Sequence, residues 1–245
     1  MKVGVAQTSP VTGDLQRKID QHVILIELAA RYGAEILIFP ELSLTGYEPT
    51  LARALAILPE DGRLNVFQQL SDAHRIIIGV GVPTQRDDGI CITMILFQPH
   101  KHRQLYSKQY LHADEKPFFV SGHNTFNRLG EEQDIALAIC YEISVPEHAA
   151  AAFADGSTIY LASVVKSIHG IDKALTRLSE IGGSYSMTVL MSNSIGQADG
   201  YECAGKSSIW NNKGVLIGQL DDSHEGILII DTTTEEVIES PPRHQ

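Results

Sequence analysis

Long apolar runs are missing from this sequence. Its uninterrupted hydrophobic stretches reach roughly five to eight residues, whereas a membrane span needs about 20, so no membrane partner is expected. Nor is a secretory leader expected from the opening residues. After one lysine, the opening MKVGVAQTSP becomes a short strand-like run that proline soon breaks. Cysteine is scarce: Cys91, Cys140 and Cys203 are odd in number and widely spaced, which argues against a disulfide framework and fits a reducing, cytoplasmic compartment. Basic charge is short too. The 19 Lys and Arg against 30 Asp and Glu give a formal net charge of −11 with no basic stripe, so nucleic acid is not an expected partner. Ten histidines invite a metal reading, but neither HExxH nor paired CxxC occurs, and no metal is expected.

What remains is ordinary globular material. Hydrophobic residues make up 43% and charged residues 20% of 245 positions, enough to bury a sizeable core. Neither a linker nor a low-complexity segment divides the chain, which reads as a single domain over residues 1–245. Val3 to Gln7 reads as a buried strand. From Asp14 to Tyr32, Leu15, Ile19, Val23, Ile26 and Ala30 recur at helical spacing, with Gly33 as the stop, and Ile36 to Phe39 forms the next strand. A helix at Leu64 to His74 precedes strands at Ile76 to Val82, Cys91 to Phe97 and Gln104 to Tyr106. Further on, strands Ile135 to Ile139, Ile159 to Ala162 and Val189 to Ser192 alternate with helices at Pro146 to Ala154 and Ile171 to Ser186. Ser207 to Trp210, Val215 to Ile217 and Ile227 to Ile230 read as antiparallel hairpins. Long apolar strands imply sheets covered on both faces, which two sheets packed between helix layers would satisfy.

Three residues at strand ends could carry chemistry. Cys140 closes the strand ending AIC, where a sharp turn would expose the thiol and leave the next backbone N–H, that of Tyr141, free to bond an oxyanion. Taken alone, a free cysteine more often serves as a small buried hydrophobe. Glu41 closes ILIFPE, beyond the sheet edge where open α/β sheets place ligands, and Lys108 follows QLYS. Alone, each would be an ordinary surface charge, and both are expected at the open end of a sheet, outside the core. His148 offers a rival Cys–His pair. Its helix, however, carries it about 10 Å from the cysteine at 1.5 Å per residue, beyond hydrogen-bond reach. The GxG at Gly79 to Gly81 lies inside a strand and is too short for a phosphate loop. Cys91 and Cys203 are left as core or surface thiols.

Together the three change the reading. The stretches FPELSLTGY around Glu41, YSKQYLHADEKPFF containing Lys108 and Glu115, and ICYE containing Cys140 resemble the nitrilase superfamily of carbon–nitrogen hydrolases. VGVAQ at Val3 to Gln7, YEISVPE, the Arg177 region, SNSIG at Ser192 to Gly196 and GKSSIW at Gly205 to Trp210 extend the likeness in order. This resemblance implies an α/β fold, a four-layer α-β-β-α sandwich. It implies a hydrolase that cleaves a non-peptide carbon–nitrogen bond, an amide or N-carbamoyl bond of a small linear substrate. The implied triad is Glu41, Lys108 and Cys140, with Glu115 as an additional active-site glutamate. A Cys thioester carries the intermediate, so no cofactor is implied, and the expected assembly is a homodimer or larger. Nitrilase or N-acyltransferase activity, or an idle binding member, are the alternatives. Many amidase-like members carry arginine where Ser144 stands, two residues after Glu142, so the resemblance does not fix the substrate.

Overall fold

The computed structural model describes residues 1–124, 128–130 and 134–240. The first part of the chain forms β1 (Lys2–Gln7), α1 (Leu15–Arg31), β2 (Ile36–Ile38), α2 (Ala52–Leu55), α3 (Asn65–His74), β3 (Ile77–Arg86), β4 (Gly89–Phe97) and β5 (Gln104–Ser107). Next come β6 (Arg128–Leu129), β7 (Ile135–Ile139), α4 (Pro146–Ala154), β8 (Ile159–Ser163), α5 (Ile171–Tyr185) and β9 (Thr188–Ser192). Then follow β10 (Ile195–Ala198), β11 (Tyr201–Ala204), β12 (Ser208–Trp210), β13 (Leu216–Gln219), β14 (Gly226–Asp231) and β15 (Val237–Ser240).

Two sheets result. One runs β15-β14-β1-β2-β3-β4-β5 and the other β13-β12-β9-β8-β7-β6, with β10 and β11 forming a separate hairpin. In each sheet three central strands, β1-β2-β3 and β7-β8-β9, are parallel, and antiparallel strands extend both sides. Side chains alternate across each strand. Val3, Val5, Ile36 and Ile38 of the first sheet therefore pack between the sheets against Leu137, Ile139, Leu161 and Leu190 of the second. Outward-facing Leu37, Phe39, Ile78 and Val80 receive Ile19, Leu25, Ile26 and Phe67 from α1 and α3. On the far side, Ala138, Tyr160, Ala162 and Val189 receive Ala149, Leu178 and Ile181 from α4 and α5. The layers are thus helix, sheet, sheet, helix, as expected. Among the described residues, no helix is long and apolar enough to cross a membrane.

Two details depart from the sequence pattern. The strand around Ile227 to Ile230 does not form a hairpin with its predecessor in sequence. It crosses to the first sheet as β14, antiparallel to β1, and forms its hairpin with β15. Apolar alternation specifies a buried strand but not which sheet takes it. On α1, the buried face is rotated relative to the apolar repeat: Lys18 and His22 lie in the core, whereas Val23 and Ala30 are only half-buried. Lys18 Nζ donates to the Ser9 carbonyl at 2.6 Å, and His22 Nδ1 lies 2.7 Å from the Lys18 carbonyl. Each polar group therefore has the partner that burial demands.

Candidate active site

Glu41 is held by a turn that needs the glycine beneath it. Beyond β2, Phe39 N–H still donates to the Gly79 carbonyl at 2.9 Å. Pro40 then ends the ladder, since it has no N–H. Leu42 turns the chain with φ +50°, and this turn lies directly on Gly81 of β3. A Cβ on Gly81 would meet Leu42 N at 2.4 Å and the Pro40 carbonyl oxygen at 2.6 Å. The GxG of the sequence thus permits close backbone approach. Ser43 Oγ accepts from Gly81 N–H at 3.3 Å and pairs with His22 Nε2 at 3.0 Å, while the His22 ring stacks on Phe39 at 4.0 Å. Across the sheet interface, Ser163 Oγ donates to the Phe39 carbonyl at 2.8 Å, fastening the end of β2 to the end of β8.

Lys108 extends the pairing of β5 with β4, its N–H donating to Ile92 O at 2.9 Å. Its ammonium donates to Glu41 Oε1 at 2.8 Å and to Glu115 Oε1 at 2.5 Å. Glu115, at the end of a short turn over Ala113–Glu115, also accepts from Tyr47 Oη on Oε1 at 3.1 Å and from His112 N–H on Oε2 at 2.7 Å. Glu41, Lys108 and Glu115 are 2%, 0% and 2% exposed. They are therefore core residues, contrary to the expectation that Glu41 and Lys108 stand outside the core. Their mutual pairing is what makes burial tolerable.

Cys140 follows β7 with φ +45° and opens the 3-10 turn Cys140–Ser144. Left-handed backbone costs a non-glycine residue roughly 1–2 kcal/mol. Glu142 holds the turn. Its Oε2 accepts from Ile139 N–H at 2.8 Å and from Tyr106 Oη at 2.9 Å, and its Oε1 accepts from Gln109 N–H at 2.6 Å. One carboxylate therefore joins the cysteine turn to the residue after Lys108. The Cys140 thiol donates to the Val165 carbonyl at 3.7 Å. Tyr141 is half-buried, its ring 5.3 Å from that of His112. Its N–H lies in the first turn of the short helix, where no acceptor exists within the turn. Ser144 ends that turn exposed.

The electrostatics follow from burial. Burial raises the Cys140 thiol pKa, and Glu41 adds to the rise, while Lys166 and Lys108 oppose it. Burial likewise raises Glu41 against the pull of Lys108. For Lys108, burial acts downward, but Glu41, Cys140 and Glu115 together hold its pKa above the ordinary lysine value. The resting pattern is thus a neutral thiol beside a lysine that stays charged. Glu41 Oε2 is buried without a hydrogen-bond partner among the described residues. That oxygen is the open position of the cluster.

His148 stands apart. Its ring nitrogens pair with Tyr106 Oη at 2.9 Å and Tyr160 Oη at 2.8 Å, in agreement with the geometric argument against a Cys–His pair. Cys91 is buried in the core, and Cys203 is buried with Val165, Ala198, Tyr47 and Tyr201 in the wall beside the site. A cavity of about 300 Å³ adjoins that wall, lined among others by Tyr47, His112, Asp114, Asp199 and Tyr201. Sequence reasoning gave no role to Tyr47, Lys166, Ser163 or the Gly81 contact. Two signals are present in the sequence: Tyr47 closes the stretch FPELSLTGY, and glycine inside a strand marks close backbone approach.

The chain matches the carbon-nitrogen hydrolase family over residues 2–241. It belongs to that family. The solved structures it resembles include the NitN amidase from Neterenkonia sp. AN1, with a TM-score of 0.85 at 24% identity over 94% of this chain and 92% of that one. A second is a variant of the amidase from Nesterenkonia sp. AN1 that carries the acetamide moiety of fluoroacetamide covalently at its active-site cysteine. There the TM-score is 0.84 at 22% identity, over 99% of this chain and 91% of that one. Among curated proteins, a glutamine-dependent NAD(+) synthetase of Thermotoga maritima is 23% identical over 245 residues, 96% of this chain but 42% of that protein. Another, from Acinetobacter baylyi, is 29% identical over 154 residues, 58% of this chain and 27% of that protein. The chain thus spans less than half the length of these curated relatives.

Proposed function

We propose that this member of the carbon-nitrogen hydrolase family cleaves an amide or N-carbamoyl bond of a small linear substrate through a thioester on Cys140. The observation that carries the reading is the buried Lys108 ammonium held between Glu41 and Glu115, with the Cys140 thiol within its electrostatic reach. A raised thiol pKa means that sulfur is mostly protonated before attack, so a base is needed. Glu41 fills that role. Its carboxylate takes the Cys140 proton as Sγ bonds to the substrate carbon, then passes it to nitrogen as the C–N bond breaks and ammonia or amine departs. Water, deprotonated by the same carboxylate, adds to the thioester and releases the acid and the thiol.

Lys108 and the Tyr141 N–H stabilise the oxyanion of both half-reactions, each such donor being worth about 3 kcal/mol in the transition state. Glu115 aims Lys108 and is itself held by Tyr47 and the His112 N–H. The test is ammonia release from simple amides, glutamine, ureido compounds and nitriles, with Cys140→Ala as the inactive control. Fluoroacetamide should add one acetamide moiety by intact mass in the parent and none in Cys140→Ala. Persistent labelling of the variant would move the nucleophile to Cys91 or Cys203. A parent that turns over none of these compounds would leave an idle binding member as the reading.

A further inference from the structure

The carboxylate that ties the Cys140 turn to the Lys108 strand end is itself held by a row of buried side chains leading away from the reactive cluster. Glu142 Oε2 accepts from Tyr106 Oη at 2.9 Å. Tyr106 Oη lies 2.9 Å from His148 Nε2, and His148 Nδ1 lies 2.8 Å from Tyr160 Oη. The imidazole is 3.7 Å from Glu142 Oε2, too far for a hydrogen bond, so Tyr106 bridges the two. Donor accounting gives the row a direction. An ionised carboxylate only accepts, and both oxygens of Glu142 also face backbone donors, Ile139 N–H on Oε2 and Gln109 N–H on Oε1. The Tyr106 proton therefore points at Glu142, its oxygen is left to accept from His148 Nε2–H, and the bare Nδ1 accepts from Tyr160 O–H. Every donor points toward Glu142, an order in which successive bonds polarise one another. The row also stands clear of the cavity beside the reactive cluster. Tyr106, Gln109, Tyr110 and His148 border a different, small cavity of about 70 Å³, and among the described residues lining the larger one none belongs to the row.

We propose, on the thioester reading above, that Glu142, aimed by the row Tyr106, His148 and Tyr160, is the positioning residue that sets the spacing of Cys140 and Lys108. Ile139 directly precedes Cys140 and Gln109 directly follows Lys108. The two oxygens of one rigid carboxylate therefore fix the backbone of the nucleophile relative to that of the oxyanion cation. Misplacing reacting groups by about 1 Å costs up to roughly a hundred-fold in rate. Because the row lines no part of the cavity beside the cluster, loosening it should slow the chemistry and leave substrate binding alone.

The test measures kcat and KM separately, on the amide the parent turns over fastest, for the parent, Glu142→Gln, Tyr106→Phe and Tyr160→Phe. Glu142→Gln sets an amide NH₂ against a backbone donor and loses one tie, so kcat should fall about 10²-fold. Tyr106→Phe should lower kcat about ten-fold and Tyr160→Phe by less, with KM nearly unchanged throughout. Alkylation of Cys140 by fluoroacetamide should slow in the same order. Unchanged kcat and alkylation in Glu142→Gln and Tyr106→Phe, with only urea stability reduced, would overturn the positioning role, as would a rise in KM that accounts for the whole loss of kcat/KM. Should Glu142→Gln not fold, Tyr106→Phe decides. A further readout needs no turnover: nitrogen NMR of the parent near neutral pH should show His148, identified by the resonances lost in His148→Gln, protonated on Nε2 and bare on Nδ1. The opposite tautomer would overturn the row. If no amide is hydrolysed, the thioester reading fails by itself, and alkylation rates together with the tautomer decide the positioning role.

Discussion

Glu41 and Lys108 are both charged and both buried, yet their removal should produce different failures. Glu41→Gln keeps shape and leaves an acceptor for Lys108, so the fold should hold while turnover falls by about 10² to 10⁴-fold. Lys108→Met instead leaves the Glu41 and Glu115 carboxylates buried without their cation, and breaking a buried pair costs about 3–5 kcal/mol. Urea unfolding should therefore show a marked loss of stability for Lys108→Met and little for Glu41→Gln. Adding Glu115→Gln to Lys108→Met should recover part of that loss without recovering activity. Equal stability of parent and Lys108→Met would mean that the carboxylates take up protons at little cost. The pH profile carries its own sign. Burial, opposed by Lys108, raises the Glu41 pKa above the ordinary value of 4.5, and the protonated form cannot act as base. The acid limb of kcat/KM should therefore lie above that value, with activity lost as pH falls through it. An acid limb at or below 4.5 would place the base elsewhere.

The elements carry these residues by backbone contacts as much as by side chains. Gly81 of β3 is the clearest case, because a Cβ there would stand 2.4 Å from Leu42 N, a backbone atom with no rotamer to yield. Gly81→Ala should displace the Glu41 turn. Turnover should fall far more than unfolding stability, read from paired kinetics and urea melts, and wild-type activity in this variant would show that the turn tolerates the shift. That contact also marks the limit of what the sequence discloses. Strand and helix positions follow from hydrophobic period, and the motif stretches point to Glu41, Lys108, Glu115 and Cys140 before any coordinates. The burial of Lys108 does not, because a lysine after a strand reads as a surface charge until its two carboxylate partners are placed around it. Nor does the left-handed backbone of Leu42 and Cys140, where glycine would be the ordinary choice. The cross-sheet bond from Ser163 to Phe39 joins residues 124 positions apart, and nothing local in either stretch announces it. In the sequence Glu142 stands out only as the acidic residue two positions before Ser144. Its use as a clamp between Ile139 and Gln109 depends on the two sheets facing one another.

At the scale of the whole molecule, stability against pH is a contest between buried groups of opposite sign. His148 is held neutral by burial, its pKa lowered from 6.5 to about 4, and His22 shifts in the same direction. Glu41 and Glu142 are raised by burial. For the histidines the unfolded chain binds more protons below pH 6.5, so their contribution is fully present above 6.5 and is lost as pH falls towards the folded value. For the two glutamates the contribution is present below the unfolded value of 4.5 and is lost as pH rises through the higher folded values. The two slopes oppose each other in mildly acidic solution, so the parent's curve alone does not separate them. A difference against His148→Gln does. At about 1.4 kcal/mol per unit, a shift from 6.5 to about 4 corresponds to roughly 3 kcal/mol. Near neutrality His148→Gln should be the less stable protein, because the replacement cannot pair with Tyr106 and Tyr160 in the same geometry. As pH falls from 6.5 towards 4 the parent should lose its advantage, up to roughly that 3 kcal/mol, and the two urea-unfolding curves should converge or cross. Curves that stay parallel across this window would show that His148 binds its proton equally well in the folded and unfolded chain. The 3.7 Å approach of Glu142 Oε2 to the imidazole would then outweigh burial.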